Sequence, residues 1–281
     1  MIDKGKNEGE PPAVPDRMPC PMCGATIAAG SRKCPSCGEI LTVSPIPKKG
    51  PVTLLNLLIV LGIGAVLVAL MLPAVRRGRE PARRSQCKNN LKQIALALHN
   101  YEAAYHALPP AYTVDADGKP LHSWRTLILP YLDEQRLYAT IDLSKPWDDP
   151  VNAEACKTGI SVYHCPSDPG PLDHTTYLAC VGSNACFRLT EPRLLSEITD
   201  GLSETLMVIE VPMEQSLPWM SPKDADESLV LSIGPESKLA HAGGMDAALC
   251  DGSIRFLSVA VPAAARRALI SVAGGDRVGD F

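Results

Sequence analysis

Phenylalanine is almost missing from this chain: 281 residues contain three, and aromatic side chains make up 5%. Aliphatic and small side chains must therefore fill the core. An excess of positive charge is missing as well. The formal net charge is −4, and after Lys92 there are 13 basic residues against 25 acids. Nucleic-acid binding needs a basic face, so no nucleic-acid partner is expected. Catalytic signatures are absent too. No G-x-S-x-G, H-E-x-x-H, Walker or dinucleotide pattern occurs, which leaves no convergent acid, base or nucleophile set and points away from an enzyme.

Cysteine, by contrast, is plentiful and unevenly placed. Of ten, Cys20, Cys23, Cys34 and Cys37 crowd into one short segment, and Cys87, Cys156, Cys165, Cys180, Cys186 and Cys250 are scattered. The crowded four form two C-P-x-C-G knuckles, each offering two thiolates from a tight turn. Gly24 and Gly38 ease the backbone where its N–H groups turn toward sulfur. Four thiolates suit tetrahedral zinc (Zn2+). A segment this small lacks a core of its own, so the metal would supply its folding energy. With all four positions closed, the role is structural or partner-binding. A redox pair or an iron site is the weaker reading, since nothing nearby resembles a βαβ unit.

The sequence thus divides into a disordered tail at 1–19, a zinc ribbon at 20–38 and a Pro- and charge-rich linker at 39–51. A hydrophobic run follows. Val52 to Leu72 carries no charge, and its only polar side chains are Thr53 and Asn56. At about 1.5 Å per residue it measures roughly 31 Å, close to the ~30 Å hydrocarbon core of a bilayer. It reads as a transmembrane helix with the lipid bilayer as partner, and helical spacing continues through Leu91, Ile94, Leu98 and Tyr105 to about 106. Pro73 and Pro81 are expected to kink that helix.

Residues 73–281 read as one α+β domain: the long helix packed on a mainly antiparallel sheet. Trp124–Leu132, Ser161–His164, Thr205–Val211, Leu229–Ile233, Ala247–Cys250 and Ser253–Ser258 are candidate strands or short helices. Asp251-Gly252 is the sharpest hairpin signal, on the expectation of a type I′ turn with positive φ at both residues. His241 with Asp246 or Asp251 is a candidate ligand or acid–base pair; Asp251 making a turn with His241 packed beside it is the simpler reading. Asp168, Asp200, Ser203 and Glu204 offer oxygen ligands for calcium, but turn formation explains them as well.

Two resemblances add to this. The stretch TLLNLLIVLGIGAVLVALMLPAV resembles the N-terminal segment of type IV pilins and pseudopilins, with Pro73 where those helices carry proline. Pro51 and Asn56 stand where that pattern has a small residue and a Glu, so an unprocessed anchor is implied. The phrases QCKNNLKQIALALHNY (86–101), SWRTLILPYLDEQRLY (123–138), CPSDPG (165–170), ITDGLSETLMVIEV (198–211) and HAGGMDAALCDGSIRFLS (241–258) are similar to the pilin-like bacterial proteins known as domain of unknown function 1559. That family has an H-x9-DG tail motif, here His241, Asp251 and Gly252, of unknown role. The resemblance implies a pilin-like fold and an extracytoplasmic position, and no activity.

The scattered cysteines suit an oxidising compartment, with Cys156–Cys165 and Cys180–Cys186 as candidate short-range disulfides. Lys and Arg near the span favour the C-terminal side inside. Zinc thiolates and the pilin likeness favour the reverse, a single-pass protein of the bacterial inner membrane with its N-terminus cytoplasmic. The expected role is a non-enzymatic envelope protein with protein partners at ribbon and outer domain. The alternative is a solute- or glycan-binding sensor holding a small-molecule ligand.

Overall fold

The computed structural model describes residues 17–41 and 54–275, and within them every side chain except those of 56 and 68–79. The expected tail at 1–16 and linker at 42–51 lie outside the described residues, as do Val52 and Thr53. The fold is α+β with antiparallel sheets. The chain divides into two compact units, 1–67 and 68–281.

In the first unit, β1 (Arg17–Pro19) pairs antiparallel with β2 (Thr26–Ala28). The small head therefore starts at Arg17, inside the segment read as tail. It reaches Leu41, whose N–H donates to the Arg32 carbonyl. The helix α1 (Leu54–Tyr105) follows as one uninterrupted element through both Pro73 and Pro81.

A membrane-spanning helix at Val52–Leu72, and with it a single-pass position in the inner membrane, is corrected here. Among the described residues no helix is long and apolar enough to cross a membrane. From Glu80 onward the described side chains of α1 are amphipathic, with Cys87, Leu91, Ile94, Ala95 and Leu98 buried and Leu96 exposed.

In the second unit β6 (Tyr177–Ala179), β7 (Leu206–Glu210), β9 (Gly244–Leu249) and β10 (Ile254–Ser258) form a four-stranded sheet in the order β10-β9-β7-β6. Two small pairs precede and flank it: β3 (Tyr112–Val114) with β4 (Pro120–Ser123), and β5 (His174–Thr175) with β8 (Leu217–Pro218). Trp124–Leu132 is not a strand. It folds as α2 (Trp124–Leu127) and a 3-10 turn, because Ser123 Oγ caps the Arg125 N–H and Pro130 opens the turn. Short helices α3 (Gln135–Tyr138), α4 (Ala153–Lys157), α5 (Glu227–Ser232) and α6 (Ala263–Ile270) complete the unit.

The sheet is covered on both faces. On one side Met207, Val208, Ala248 and Cys250 pack with Leu91, Ile94 and Leu98 of α1. On the other, Leu206, Ile209, Met245 and Leu249 pack with Val230 of α5 and Leu269 and Ile270 of α6. This explains why TLMVIEV reads as a continuous apolar run: a strand buried on both faces has no solvent side to alternate toward. Each fully buried Leu or Ile contributes about 1.5–3 kcal/mol.

Position along β7 fixes one polar exception. Glu210 lies two residues beyond Val208, so pleat alternation turns it to the α1 side, where it is 1% exposed.

Candidate metal centres

The head is built from two copies of one turn. The Gly24 N–H donates to the Cys20 carbonyl and the Gly38 N–H to the Cys34 carbonyl, at 2.8 and 2.9 Å. Both glycines have positive φ, 71° and 76°, as such a knuckle requires. The two turns bring all four sulfurs within 4.8 Å of one another. Cys20 Sγ to Cys37 Sγ and Cys23 Sγ to Cys34 Sγ are each 3.8 Å. A tetrahedron with metal–sulfur bonds of about 2.3 Å has edges of about 3.8 Å. Backbone N–H groups of Cys37 and Ser36 hold the Cys34 thiol down to about 6. Cys37 also receives a lowering backbone bond from Glu39, yet the surrounding thiols push it up to about 12. The geometry is compatible with a metal site.

The structure places the H-x9-DG residues apart. His241 precedes β9 and Asp251-Gly252 follows it. Six strand residues at about 3.3 Å each separate the two ends by roughly 20 Å. The nine intervening residues are the span of a strand, and His241 and Asp251 form no dyad. The turn also differs from type I′. Among the described non-glycine residues only His106 and Asp133 have positive φ, so Asp251 does not, whereas Gly252 has φ 80°. The Gly252 N–H donates to the Leu249 carbonyl and Asp251 Oδ1 accepts from the Ser253 N–H, at 2.9 and 2.8 Å. A type I turn followed by a left-handed glycine closes the hairpin.

His241 is instead the corner of a second cluster. Cys87, Cys165, Glu210 and His241, all buried, bring one donor atom each within 4.8 Å of one another. Cys87 comes from the buried face of α1, Cys165 from the loop before β5, Glu210 from β7 and His241 from the loop before β9. Cys87 Sγ lies 3.8 Å from Glu210 Oε1, Cys165 Sγ 3.9 Å from His241 Nε2, and His241 Nε2 3.7 Å from Glu210 Oε2. The other ring nitrogen, Nδ1, is 3.2 Å from Glu80 Oε1.

Their electrostatics conflict. Burial, then Cys165, push the Glu210 carboxyl well above the usual range. Cys87, then burial, push Cys165 up to about 12. Burial lowers His241, but Cys165, Glu210 and Glu80 outweigh it and bring the imidazole to about 9. Close by, Asp246 is fully buried on β9, with Arg84 at 3.7 Å and Lys88 at 3.9 Å.

Cys87 and Glu210 escape sequence reasoning because no spacing rule joins residues drawn from four segments. Their one shared signal is that each of these four residues falls inside a quoted family phrase.

The remaining candidates are placed as follows. Asp168 Oδ1 accepts from the Gly170 N–H, and Asp200 accepts from the Gly274 and Gly275 N–H groups. Asp168 therefore shapes a local turn, whereas Asp200 ties the segment before β7 to the chain after α6. No disulfide joins Cys156 to Cys165 or Cys180 to Cys186; all four thiols are free. The physical reason is where they point. Cys165 faces His241, and Cys186 meets Cys250 Sγ at 3.1 Å.

Against known families, residues 76–185 match the model of SBP_bac_10, described as a protein of unknown function (DUF1559). The match includes Cys87 and Cys165 and ends before Glu210 and His241. No curated protein and no solved structure matches the chain.

Proposed function

We propose that this is a non-enzymatic, pilin-like interaction protein whose zinc-held head and apolar helix segment bind protein partners. The observation that carries this reading is exposed apolar surface. Leu54, Leu55, Leu58, Val60, Leu61 and Ile63 on α1 are each more than half exposed. On the head, Met22 is 71% and Ile40 67% exposed. Beside them Met18, Pro21, Ile27 and Leu41 line a groove of about 240 Å³. Contiguous apolar surface open to water marks a place where another molecule docks.

Zinc at Cys20, Cys23, Cys34 and Cys37 is the cation that four thiolates in a closed tetrahedron suit. It would hold the two knuckles rigid and leave no open position for catalysis, so its role is to present the groove. A photo-crosslinking residue placed at Leu58 and, separately, at Met22 of the full chain tests this in cells. Protein adducts of defined mass are expected at both. Absence of an adduct at either position overturns the reading.

A second reading, an extracellular-type solute binder, is favoured by one feature. Arg84, Lys88, Glu80 and His241 line an open pocket of about 380 Å³, a fit for a small anionic solute. A rise in melting temperature with one member of an anion panel would support it.

A further inference from the structure

We infer that Cys87, Cys165, Glu210 and His241 form a second metal centre, a closed structural site for a thiophilic divalent cation of the zinc class. It is separate from the four-cysteine head and lies wholly in the second unit.

Geometry carries the inference. With bonds of about 2.3 Å to sulfur and 2.0–2.2 Å to nitrogen and oxygen, a tetrahedral zinc has ligand–ligand edges of roughly 3.3–3.8 Å. Of the three distances, 3.7 and 3.8 Å sit at the upper end of that range and 3.9 Å just beyond it. The His241–Glu210 separation is too long for a hydrogen bond. Weak sulfur hydrogen bonds account for the two thiol contacts, but no hydrogen bond accounts for the close approach of His241 Nε2 to Glu210 Oε2.

A second observation is independent of those distances. Glu210 is 1% exposed, and its Oε2 has no hydrogen-bond partner. Buried carboxylate oxygens need a partner. This one is aimed into a cluster that offers two thiols and an imidazole nitrogen, and a cation at the centre would satisfy it.

The third is His241's other nitrogen. Metal-bound histidines commonly donate the second ring N–H to a carboxylate, which sets the tautomer and orients the ring. Glu80 Oε1, 3.2 Å from Nδ1, stands where that partner belongs, and Nε2 faces the cluster. Glu80 also accepts from Ser167 Oγ at 3.3 Å, two residues from Cys165, so two of the ligands share one outer support.

Donor chemistry selects the cation. Two thiolates exclude magnesium and calcium, which take oxygen ligands. Carboxylate and imidazole beside them suit zinc better than a purely soft ion. Binding displaces the thiol protons and any proton on Glu210 to solvent. Four side chains fill the tetrahedron, leaving no place for substrate. The centre's role is then to tie α1, the loop before β5, β7 and the loop before β9 at one point.

The test uses the full chain carrying C20S, C23S, C34S and C37S, which leaves the second site intact. Reduced and titrated with cobalt(II), it should take up about one equivalent, with visible ligand-field bands of tetrahedral cobalt and near-ultraviolet thiolate-to-cobalt charge transfer. Zinc should displace the colour. Glu80→Gln should keep the stoichiometry and weaken affinity about 10- to 100-fold. His241→Ala should lose the tetrahedral spectrum. Because the colour is read first on the unaltered site, a misfolded ligand variant does not decide the matter. Circular dichroism showing a folded protein that binds no cobalt or zinc overturns the inference. So does a Cys87–Cys165 disulfide in non-reduced protein purified from cells.

Discussion

Gly244 should be the least replaceable glycine of the second unit. It opens β9 and pairs with Ser258 of β10. A Cβ built on it would stand 2.4 Å from the Leu257 carbonyl oxygen and 2.6 Å from Phe256 Cζ. Ordinary contact needs at least about 3.4 Å, so β10 must move by roughly 1 Å. A backbone oxygen cannot rotate away as a side chain can. Phe256 is not free to yield either, because the Arg84 guanidinium sits 3.9 Å over its ring and turns toward Asp246. Overpacking of this kind costs about 1–3 kcal/mol and occasionally more, and the backbone clash places Gly244→Ala near ~3 kcal/mol. For a unit of this size each kcal/mol is worth about 2–4 °C, giving a fall in Tm of roughly 6–12 °C. Gly243 is the internal control. It has φ 82° and open space around a Cβ, so Gly243→Ala pays only the left-handed penalty of about 1–2 kcal/mol. Thermal and urea unfolding followed by circular dichroism measure both. Equal losses, or a larger one for Gly243→Ala, refute the steric argument.

Three further outcomes are expected. Burial outweighs the adjacent Arg125 charge and pushes the Asp224 carboxyl up to about 6. A raised folded pKa contributes stability that is present below the unfolded value near 3.8 and lost as pH rises through about 6. Urea unfolding at several pH values should therefore show the natural protein losing up to ~3 kcal/mol relative to Asp224→Asn between pH 4 and 7; a flat difference counts against this. Leu98, fully buried between α1 and the sheet, should cost about 2–5 kcal/mol as Leu98→Ala, read from the urea midpoint at unchanged slope. Finally, mild oxidation followed by non-reducing peptide mapping should yield a Cys186–Cys250 bridge, whose sulfurs are 3.1 Å apart, before any Cys156–Cys165 or Cys180–Cys186 bridge.

Local chemistry was the part legible in the residues. Each C-P-x-C-G knuckle contains its own turn, glycine and thiols, so reading one segment suffices. The helix through Leu91, Ile94 and Leu98 and the strand in TLMVIEV were legible for the same reason: periodicity is a property of neighbours. Asp251-Gly252 marks the turn but not its type, because Gly252 alone supplies the positive φ. Trp124–Leu132 carried an apolar run that suits strand or helix, and the Ser123 cap decided between them. The hydrophobic run at Val52–Leu72 marks a helix but not a membrane span.

What the sequence alone determined are the head's four-cysteine cluster, the α+β class, the long helix and the β9–β10 hairpin. Each rests on contacts within a few residues. Tertiary structure alone decided the second cluster. Cys87 and Glu210 are separated by 123 positions and Cys165 and His241 by 76, and no local rule constrains such pairs. They meet because α1 packs on one face of the sheet and pleat alternation turns Glu210 to that same face. His241, marked in the sequence only as one end of a motif, takes its chemistry from Glu80, Cys165 and Glu210, and not from Asp251 at the far end of the strand.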